Sequence, residues 1–332
     1  MEKVGTAMKS LLATQSVEEK KIFQELVLKN DRLELTLLPE FGCHWSRLRV
    51  SVKGHWLDLL VSAPDHDALV KRPTGYGSYL LAPWSNRIAG AAFEFEGQRH
   101  QLKENFPDHS AIHGDVRNRP WKIASSTPRR FEATFDSREF PDFNYPFALR
   151  FRHVLELSEE TLQVALTIEN VDKRKAPVGF GYHPFLRRRL TRADPDLILI
   201  VPADRYYPLE ACIPTGPPEP VGGRTDLRHL KVLGKPGLDH CFTGLRHGEI
   251  RVIYPGTRLE VRFNLDPLFT HAVVYAPNDS TGRPREFVCV EPVTHANDGF
   301  NLVARGSKDT GVKVLEPGEV WGGAWALSVG DV

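Results

Sequence analysis

The chain has 332 residues, of which 41% are hydrophobic and 26% are charged, a balance typical of a soluble globular protein. Its 43 lysines and arginines nearly cancel its 42 aspartates and glutamates, so charge gives no reason to expect nucleic acid or an anionic membrane as a partner. The four cysteines follow no regular spacing, which argues against a disulfide-framework protein and predicts no zinc site.

Few segments of the chain suit a helix. Residues 16–26 could form a short one, because Ser16 and Glu19 have the spacing of a capping box, and residues 64–70 could form another. The apolar stretch around Leu11 is too short for the core of a signal peptide. No apolar run reaches the roughly 20 residues that span a bilayer, and we therefore expect a cytoplasmic protein.

Alternating hydrophobic and polar residues predict three hairpins. The first turns at Asn30-Asp31, a typical turn sequence, with leucines alternating on both sides of it. The second turns at Glu96-Gly97, and the third, which has the clearest alternation, turns at Ser158-Glu159-Glu160. Further short strands are predicted at residues 197–201, 250–254, 259–265, 272–275, 287–290 and 325–329.

Many short strands separated by Gly, Pro, Asn and Asp predict an all-β fold, either a sandwich or a barrel. The Pro-rich stretch from Pro214 to Pro220 is the best candidate for a linker, but strand patterns continue on both sides of it. Its composition suits a rigid surface loop. We therefore expect one all-β domain over residues 1–332.

Several familiar catalytic signatures are absent, including a glycine-rich nucleotide loop, a zinc-protease motif and a serine nucleophile elbow. His109 and His113 are four residues apart, which would suit a metal on a helix, but Asp108 and Gly114 indicate a loop, so we expect no metal site. Five polar segments remain at predicted strand ends and turns, where rigid sheets present functional groups. They are Leu81-Ala82-Pro83-Trp84-Ser85-Asn86-Arg87-Ile88-Ala89-Gly90, Ile112-His113-Gly114, Gly181-Tyr182-His183-Pro184-Phe185, Gly237-Leu238-Asp239-His240-Cys241-Phe242 and Val290-Glu291-Pro292-Val293-Thr294.

In this order and spacing, the five segments resemble the aldose 1-epimerase (galactose mutarotase-like) family. The resemblance runs from Leu38-Pro39-Glu40-Phe41-Gly42 near the start of the chain to Phe300-Asn301 near its end. It implies a large antiparallel β-sandwich, in agreement with the strand pattern. It also implies that Glu291 is the catalytic base and His183 the acid. The substrate-binding residues that it implies are Arg87, His113, Asp239 and Asn86.

Opening the ring of a free sugar requires removal of the proton from the anomeric hydroxyl and protonation of the ring oxygen. A carboxylate and an imidazolium on opposite sides of the sugar can carry out both transfers. The resemblance therefore implies an isomerase that interconverts the α and β anomers of a free aldose without a cofactor or metal. We expect a monosaccharide substrate, no nucleic-acid or membrane partner, and a monomer or homodimer.

Three alternatives remain open. Glu291 and Asp239 could be the paired carboxylates of a glycoside hydrolase, or the chain could bind sugar without turnover. The third is a hexose-6-phosphate mutarotase, but phosphate normally requires two converging cations, and the matching segments supply only Arg87. The basic clusters at Lys71-Arg72 and Arg187-Arg188-Arg189 are interpreted as exposed loops, so an unphosphorylated sugar is expected.

The segment around His183 departs from the pattern of galactose mutarotases. Tyr182 and Pro184 stand where those enzymes usually have Asn and either Ser or Thr. Pro184 and Pro292 each disfavour helical geometry at the preceding residue, so we expect His183 and Glu291 to lie on extended backbone. The departure leaves the reaction type unchanged but means that the identity of the sugar is not predicted.

Overall fold

A computed structural model describes residues 22–235, 237–245 and 249–332 of the chain. The predicted capping box at Ser16 and Glu19 lies outside the described residues. Residues 22–25 are not helical, so the helix prediction is wrong for the part of residues 16–26 that the structure describes. Phe23 instead packs against Phe41, with ring centroids 5.1 Å apart, shortly before the first strand.

The described residues form many short strands, two short α-helices and five 3₁₀ turns. The first elements are β1 (Leu26–Lys29), β2 (Leu33–Leu38), β3 (His44–Val52), β4 (His55–Asp58), α1 (His66–Lys71), β5 (Leu80–Leu81), β6 (Arg87–Ile88), β7 (Ala92–Phe95), β8 (Gln98–Gln101) and β9 (Ala111–Ile112). The next are β10 (Lys122–Ser126), β11 (Arg130–Asp136), β12 (Leu149–Leu157), β13 (Thr161–Asn170), β14 (Ala176–Val178), β15 (Gly181–Tyr182), β16 (Phe185–Arg187), β17 (Ile198–Ile200) and β18 (Ala203–Tyr206).

The remaining strands follow the Pro-rich stretch or border it. They are β19 (Leu209–Glu210), β20 (Ile213–Pro214), β21 (Glu219–Pro220), β22 (Lys231–Val232), β23 (Leu238–Leu245), β24 (Glu249–Tyr254), β25 (Leu259–Leu265), β26 (His271–Ala276), β27 (Phe287–Val293), β28 (Lys313–Leu315) and β29 (Val320–Asp331), with α2 (Gly299–Ala304) after β27. The 3₁₀ turns are Pro39–Phe41, Ala89–Ala91, Val116–Asn118, Ser137–Glu139 and Gly223–Thr225.

Two large sheets dominate the fold. A nine-stranded sheet has the order β10-β11-β12-β13-β29-β25-β24-β17-β22, and an eight-stranded sheet has the order β21-β18-β23-β26-β27-β15-β5, with β16 also paired to β27. The strand pairs within both are antiparallel. A further sheet, β1-β2-β3-β4, is formed by the N-terminal strands.

One hydrophobic core contains side chains from both large sheets, including Phe151 and Leu155 of β12 and Val274 of β26. The ring of His153 in β12 lies 5.9 Å from that of Tyr182 in β15, so the two sheets face each other across this core. The chain is therefore an all-β protein built as a large antiparallel β-sandwich, and the predicted fold class is confirmed.

The three predicted hairpins are confirmed as β1–β2, β7–β8 and β12–β13. At the first turn the side-chain oxygen of Asn30 accepts hydrogen bonds from the amides of Arg32 (2.8 Å) and Leu33 (2.7 Å). At the second, Glu96 and Gly97 both have positive φ, as a two-residue type I′ turn requires. The six further strand predictions correspond to β17, β24, β25, β26, β27 and β29.

The predicted helix at residues 64–70 is confirmed as α1, whose first turn is capped by the Asp65 side chain accepting from the amide of Ala68 at 2.8 Å. Helix α2 was not predicted. Pro214 and Pro220 end β20 and β21, and β21 lies at the edge of the eight-stranded sheet, where a missing amide proton is tolerated. Within the described residues, no helix has both the length and the apolar character that a membrane span needs.

Candidate active site

A cleft of about 260 Å³ lies on the face of the eight-stranded sheet that points away from the main core. This volume is just below the roughly 300–1,000 Å³ of typical ligand pockets and suits a molecule as small as a monosaccharide. The cleft brings together all the site residues that the sequence singled out. They are Glu291, His183, Arg87, His113, Asp239 and Asn86.

The strand register places two carboxyl groups in this cleft. Glu291 of β27 pairs with Val273 of β26, and Asp239 of β23 pairs with Tyr275 of β26. Because side chains alternate along a strand, residues 273 and 275 point to the same face, and their partners Glu291 and Asp239 share it. Glu291 lies on extended backbone as predicted, although β27 continues past it through Pro292.

His183 directly follows β15, which is held against β27 through the pair Gly181–Val293. A Cβ atom at Gly181 would lie 2.6 Å from the carbonyl oxygen of Pro292, so this close approach requires glycine. The amide of His183 donates a hydrogen bond to the carbonyl of Tyr79 at 3.0 Å. The position of the imidazole is therefore set by the sheet rather than by a free loop.

His183 and Glu291 are in direct contact, with Nε2 of the imidazole 3.2 Å from Oε1 of the carboxyl group. Both side chains are buried. The imidazole is stacked between the rings of Tyr79 and Phe185, at centroid distances of 4.9 and 4.7 Å. The two groups are therefore direct neighbours, which differs from the expected placement on opposite sides of a sugar.

Burial controls the protonation of this pair. Burial and, to a smaller extent, the positive charge of Arg117 lower the pKa of His183 to about 3. Burial also raises the pKa of Glu291 well above its ordinary value, as does the charge of Asp239, while Arg87 opposes the shift. Both changes favour an uncharged pair, a carboxylic acid beside a neutral imidazole. A carboxylate beside an imidazolium contains the same number of protons, so the two forms interconvert by one proton transfer.

Two loops carry Asn86, Arg87 and His113 to the cleft. The amide of His113 donates to the carbonyl of Asn86 at 2.9 Å, and β6 pairs with β9 beside this bond. Asn86 and His113 have φ of 51° and 63°, the left-handed region that is uncommon for residues other than glycine and concentrates at functional sites. A Cβ atom at Gly114 would lie 1.8 Å from the carbonyl oxygen of Ala82, so only glycine fits between the loops.

The side chains on these loops are held by polar contacts. Nε of Arg87 donates to Asp108 at 2.6 Å, and its guanidinium lies 4.9 Å from the ring centre of Phe106. Burial lowers the pKa of His113 well below its usual value, and the neighbouring imidazole of His183 and the guanidinium groups of Arg117 and Arg87 add to this effect. His113 is therefore a neutral imidazole, which can both donate and accept a hydrogen bond.

Asp239 has a partner that the sequence did not reveal. The thiol of Cys212 donates to Oδ2 of Asp239 at 3.3 Å, and the carbonyl of Cys212 accepts from the Asn297 side chain at 2.9 Å. Burial raises the pKa of Asp239, although this hydrogen bond and the charge of Arg87 lower it. Cys212 lies in the tight turn between β19 and β20, and no motif marks it as part of a site.

Trp84, Tyr182 and Phe185 belong to the five polar segments, and an aromatic side chain there can either stack on a sugar or pack in the core. Phe185 lines the cleft, whereas Trp84 and Tyr182 are 0% and 1% exposed and belong to the main core. Sequence analysis missed other aromatic side chains of the cleft, because single Tyr and Phe residues carry no motif. They are Tyr79, Phe106, Tyr275 and Phe287.

Two further arginines, Arg72 and Arg285, also line the cleft. Lys71 and Arg72 are exposed, as the sequence predicts. The expectation that Arg72 lies away from the site is wrong, because Arg72 lines the cleft. The other basic cluster does not line the cleft. The interpretation of Arg187-Arg188-Arg189 as an exposed loop is wrong, because Arg187 ends β16 and Arg188 is buried and pairs with Asp196.

His109 does not join His113 at a metal site. Its side chain is 80% exposed, and its Nδ1 lies 2.8 Å from a carboxyl oxygen of Glu104. Among the residues that the structure describes, no group of three or more His, Cys, Asp and Glu side chains is arranged to hold a metal ion. A reaction without metal therefore stays a prediction to be tested on the protein.

Comparison with known proteins agrees with the fold. The sequence profile of the aldose 1-epimerase family matches residues 24–328. The uncharacterized protein YihR of Escherichia coli (strain K12) is 30% identical over 235 residues, which cover 69% of this chain and 73% of YihR.

Two solved structures are similar over nearly the whole chain. A galactose mutarotase-like protein from Clostridium acetobutylicum has a TM-score of 0.79 at 18% identity, covering 92% of this chain and 95% of its own. Galactose 1-epimerase from Lactobacillus acidophilus NCFM has a TM-score of 0.73 at 19% identity, covering 92% and 94%. These likenesses concern the fold, whereas the family profile concerns the sequence itself. Because that profile matches most of its length, the chain belongs to the aldose 1-epimerase family.

Proposed function

We propose that the protein is an aldose 1-epimerase in which Glu291 and His183 transfer the protons that open and close the sugar ring. The observation that carries this proposal is the buried contact between the two side chains, 3.2 Å apart, in a cleft of monosaccharide size. A buried carboxyl group normally raises the free energy of the fold unless a partner compensates it. Its position beside an imidazole in a cleft favours a functional role.

The geometry of the pair suits the reaction. The anomeric hydroxyl and the ring oxygen of an aldose are both bonded to C1, so their separation is short. Two proton-transfer groups that are neighbours in the free protein can therefore reach one oxygen each. Each positioned acid or base contributes roughly 10²–10⁴ in rate, provided that the proton transfer has suitable geometry.

The proton count of the pair closes over one cycle. One proton transfer within the uncharged pair gives Glu291 as carboxylate and His183 as imidazolium. The carboxylate then takes the proton of the anomeric hydroxyl, and the imidazolium protonates the ring oxygen. The products are an open-chain aldehyde, a carboxylic acid and a neutral imidazole, which is the form that burial favours. After rotation about the C1–C2 bond, the imidazole takes the hydroxyl proton, the acid returns a proton to the carbonyl oxygen, and the ring closes as either anomer.

The other cleft residues would hold the sugar hydroxyls. Asn86 and His113 are uncharged groups fixed by the loop contacts, and Asp239 and Arg87 supply an acceptor and a donor. Such fixed partners restrict the sugar to orientations in which C1 faces the catalytic pair, which is how positioning lowers a barrier. Each of these roles is a proposal that rests on the cleft position of the residue.

Polarimetry on freshly dissolved α-anomers of several aldoses tests the proposal. The wild-type protein should accelerate the approach to the equilibrium rotation for at least one sugar. The same samples should release no sugar from nitrophenyl glycosides, since release would point to a glycoside hydrolase that uses Glu291 and Asp239. Saturable sugar binding without faster mutarotation would instead indicate a binding module, and the proposed reaction would be wrong.

A further inference from the structure

The cleft contains more positive charge than the ring-opening reaction uses. Of its arginines, Arg87 is neutralised by its hydrogen bond to Asp108 at 2.6 Å. Arg72 and Arg285 line the same cleft, and among the described residues neither forms an ion pair with a carboxylate. Two guanidinium groups therefore face the space where the substrate would bind without a protein partner for their charge.

Arg72 is held in place by its own loop. It follows α1, and its carbonyl accepts a hydrogen bond from the amide of Gly75 at 3.0 Å. Its guanidinium lies 5.7 Å from the ring centre of Tyr76, and a Cβ atom at Gly75 would lie 3.5 Å from its Nε. The side chain thus folds back over the turn that forms one wall of the cleft, beside Thr74.

Arg285 reaches the cleft from a second element. It lies just before β27, the strand that carries Glu291, and its amide donates to the carbonyl of Pro277 at 3.0 Å. This bond closes the loop between β26 and β27. The charge of Arg285 lowers the pKa of Tyr275, another residue of the cleft, although burial raises that pKa more strongly. Both arginines are exposed, whereas Glu291 lies buried at the floor.

We propose that the substrate is an aldose with an anionic substituent, a phosphate ester or a carboxylate, which Arg72 and Arg285 bind at the rim of the cleft. This inference rests on the proposed function, and for a phosphate ester it reverses the expectation of an unphosphorylated sugar. Arginine presents a planar set of donors that matches both groups, and charge-assisted hydrogen bonds of this kind are stronger than neutral ones. The carboxyl groups of Glu291 and Asp239 contact His183 and Cys212, and among the described residues neither forms an ion pair with Arg72 or Arg285.

The test compares kcat/KM for glucose, glucose 6-phosphate and glucuronate in the wild-type protein at low and high salt. We expect a preference of at least about tenfold for an anionic sugar, equivalent to about 1.4 kcal/mol. The preference should decrease as salt rises, because exposed charges are screened. The two anionic sugars distinguish a phosphate from a carboxylate ligand.

The double variant R72Q/R285Q should lose this preference, with a loss for the anionic sugar at least tenfold greater than the loss for glucose. The matched control R129Q/R192Q removes two exposed arginines outside the cleft and should keep the preference. Circular dichroism checks that the double variant and the two single variants are folded.

Equal kcat/KM for charged and uncharged sugars, or equal losses in R72Q/R285Q, would overturn the anion site while leaving the epimerase intact. If no sugar is turned over, the epimerase proposal fails instead. Calorimetric binding of the same three sugars to the wild-type protein and to R72Q/R285Q then decides whether the anion site exists.

Discussion

The two large sheets differ in how many of their faces are buried. Strand β12 of the nine-stranded sheet alternates strictly, with Leu149, Phe151 and Leu155 in the core and charged residues such as Arg152 between them. Strand β27 of the eight-stranded sheet is buried at every position from Val288 to Val293. A sheet with one solvated face needs only to pack, whereas a sheet covered on both faces has a second interior surface that can carry a site.

The second face of β27 has a different chemistry from the first. Val288 and Val290 point into the main core, and Cys289, Glu291 and Val293 point to the smaller cluster and the cleft. Burying a carboxyl group there costs free energy that a hydrocarbon would not, so packing alone does not account for Glu291 at this position. Stability and chemistry should therefore respond to different substitutions.

The largest difference between the effect on activity and the effect on stability is expected for Glu291→Gln. The amide keeps the shape of the side chain but cannot take the proton of the anomeric hydroxyl, so mutarotation should fall by at least ~10². Folding and sugar binding should remain, as checked by circular dichroism and calorimetry. Glu286→Gln, an exposed residue just before β27, is the matched control and should retain activity. Near-normal turnover in a folded Glu291→Gln protein would remove Glu291 from the mechanism.

The converse substitution lies on β12. Leu155 is fully buried, and Leu155→Ala should lower the free energy of unfolding by roughly 2–5 kcal/mol through lost contacts and a cavity. The activity per folded molecule should stay the same, because the residue lies in the core rather than in the cleft. Chemical denaturation measures the loss, and Glu156→Ala on the solvent face should change stability by less than about 0.5 kcal/mol. A specific loss of turnover in Leu155→Ala would show that packing in the nine-stranded sheet and chemistry in the cleft are not independent.

A smaller effect is expected at His153, the polar exception on the inner face of β12. Burial lowers its pKa to about 3 in the folded protein, against an ordinary 6.5, and within the described residues neither ring nitrogen has a hydrogen-bond partner. The unfolded chain therefore binds the proton first as pH falls. The contribution of neutral His153 to the free energy of unfolding is fully present above about pH 6.5 and is lost progressively towards pH 3.

His153→Leu removes this proton uptake, so its free energy of unfolding should fall less on acidification. The difference from the wild type is up to about 2 kcal/mol between pH 6.5 and pH 5. Urea titrations at the two pH values measure it, with the exposed His55→Gln as control. An unchanged pH slope in His153→Leu would contradict the assignment of a neutral buried imidazole.

No effect is expected when metal ions are removed. The proposed chemistry uses only side chains, so exhaustive dialysis against a chelator should leave both mutarotation and the unfolding midpoint unchanged. Activity that disappears on chelation and returns with a divalent ion would replace the acid–base mechanism by a metal-dependent one.

The contrast between the sheets also explains what the sequence could predict. Period-two alternation in β12 and β13 defined the longest hairpin directly, because one face meets solvent. The predicted strand at residues 287–290 stopped before Glu291, since a charged residue normally marks the end of a buried run, yet β27 continues to Val293. Helix α2 has only six residues and follows Asp298, which has left-handed φ and makes no capping hydrogen bond.

That these residues share one cleft was predictable from the ordered set of segments rather than from any one of them. What could not be predicted were contacts between loops distant in sequence, such as the thiol of Cys212 on Asp239 and the approach of Arg72 and Arg285 to one cleft. An isolated arginine in a polar segment is usually solvated, and only the fold shows which space it borders.

Exchange between anomers at equilibrium tests the central claim most directly. In nuclear magnetic resonance exchange spectra, the signals of the C1 protons of the two anomers should exchange at a rate proportional to the concentration of wild-type protein. Glu291→Gln should slow this exchange by at least ~10². A wild-type protein that binds the sugar but leaves the exchange rate at its value in buffer would contradict the assignment of the buried Glu291–His183 pair as the catalyst of ring opening.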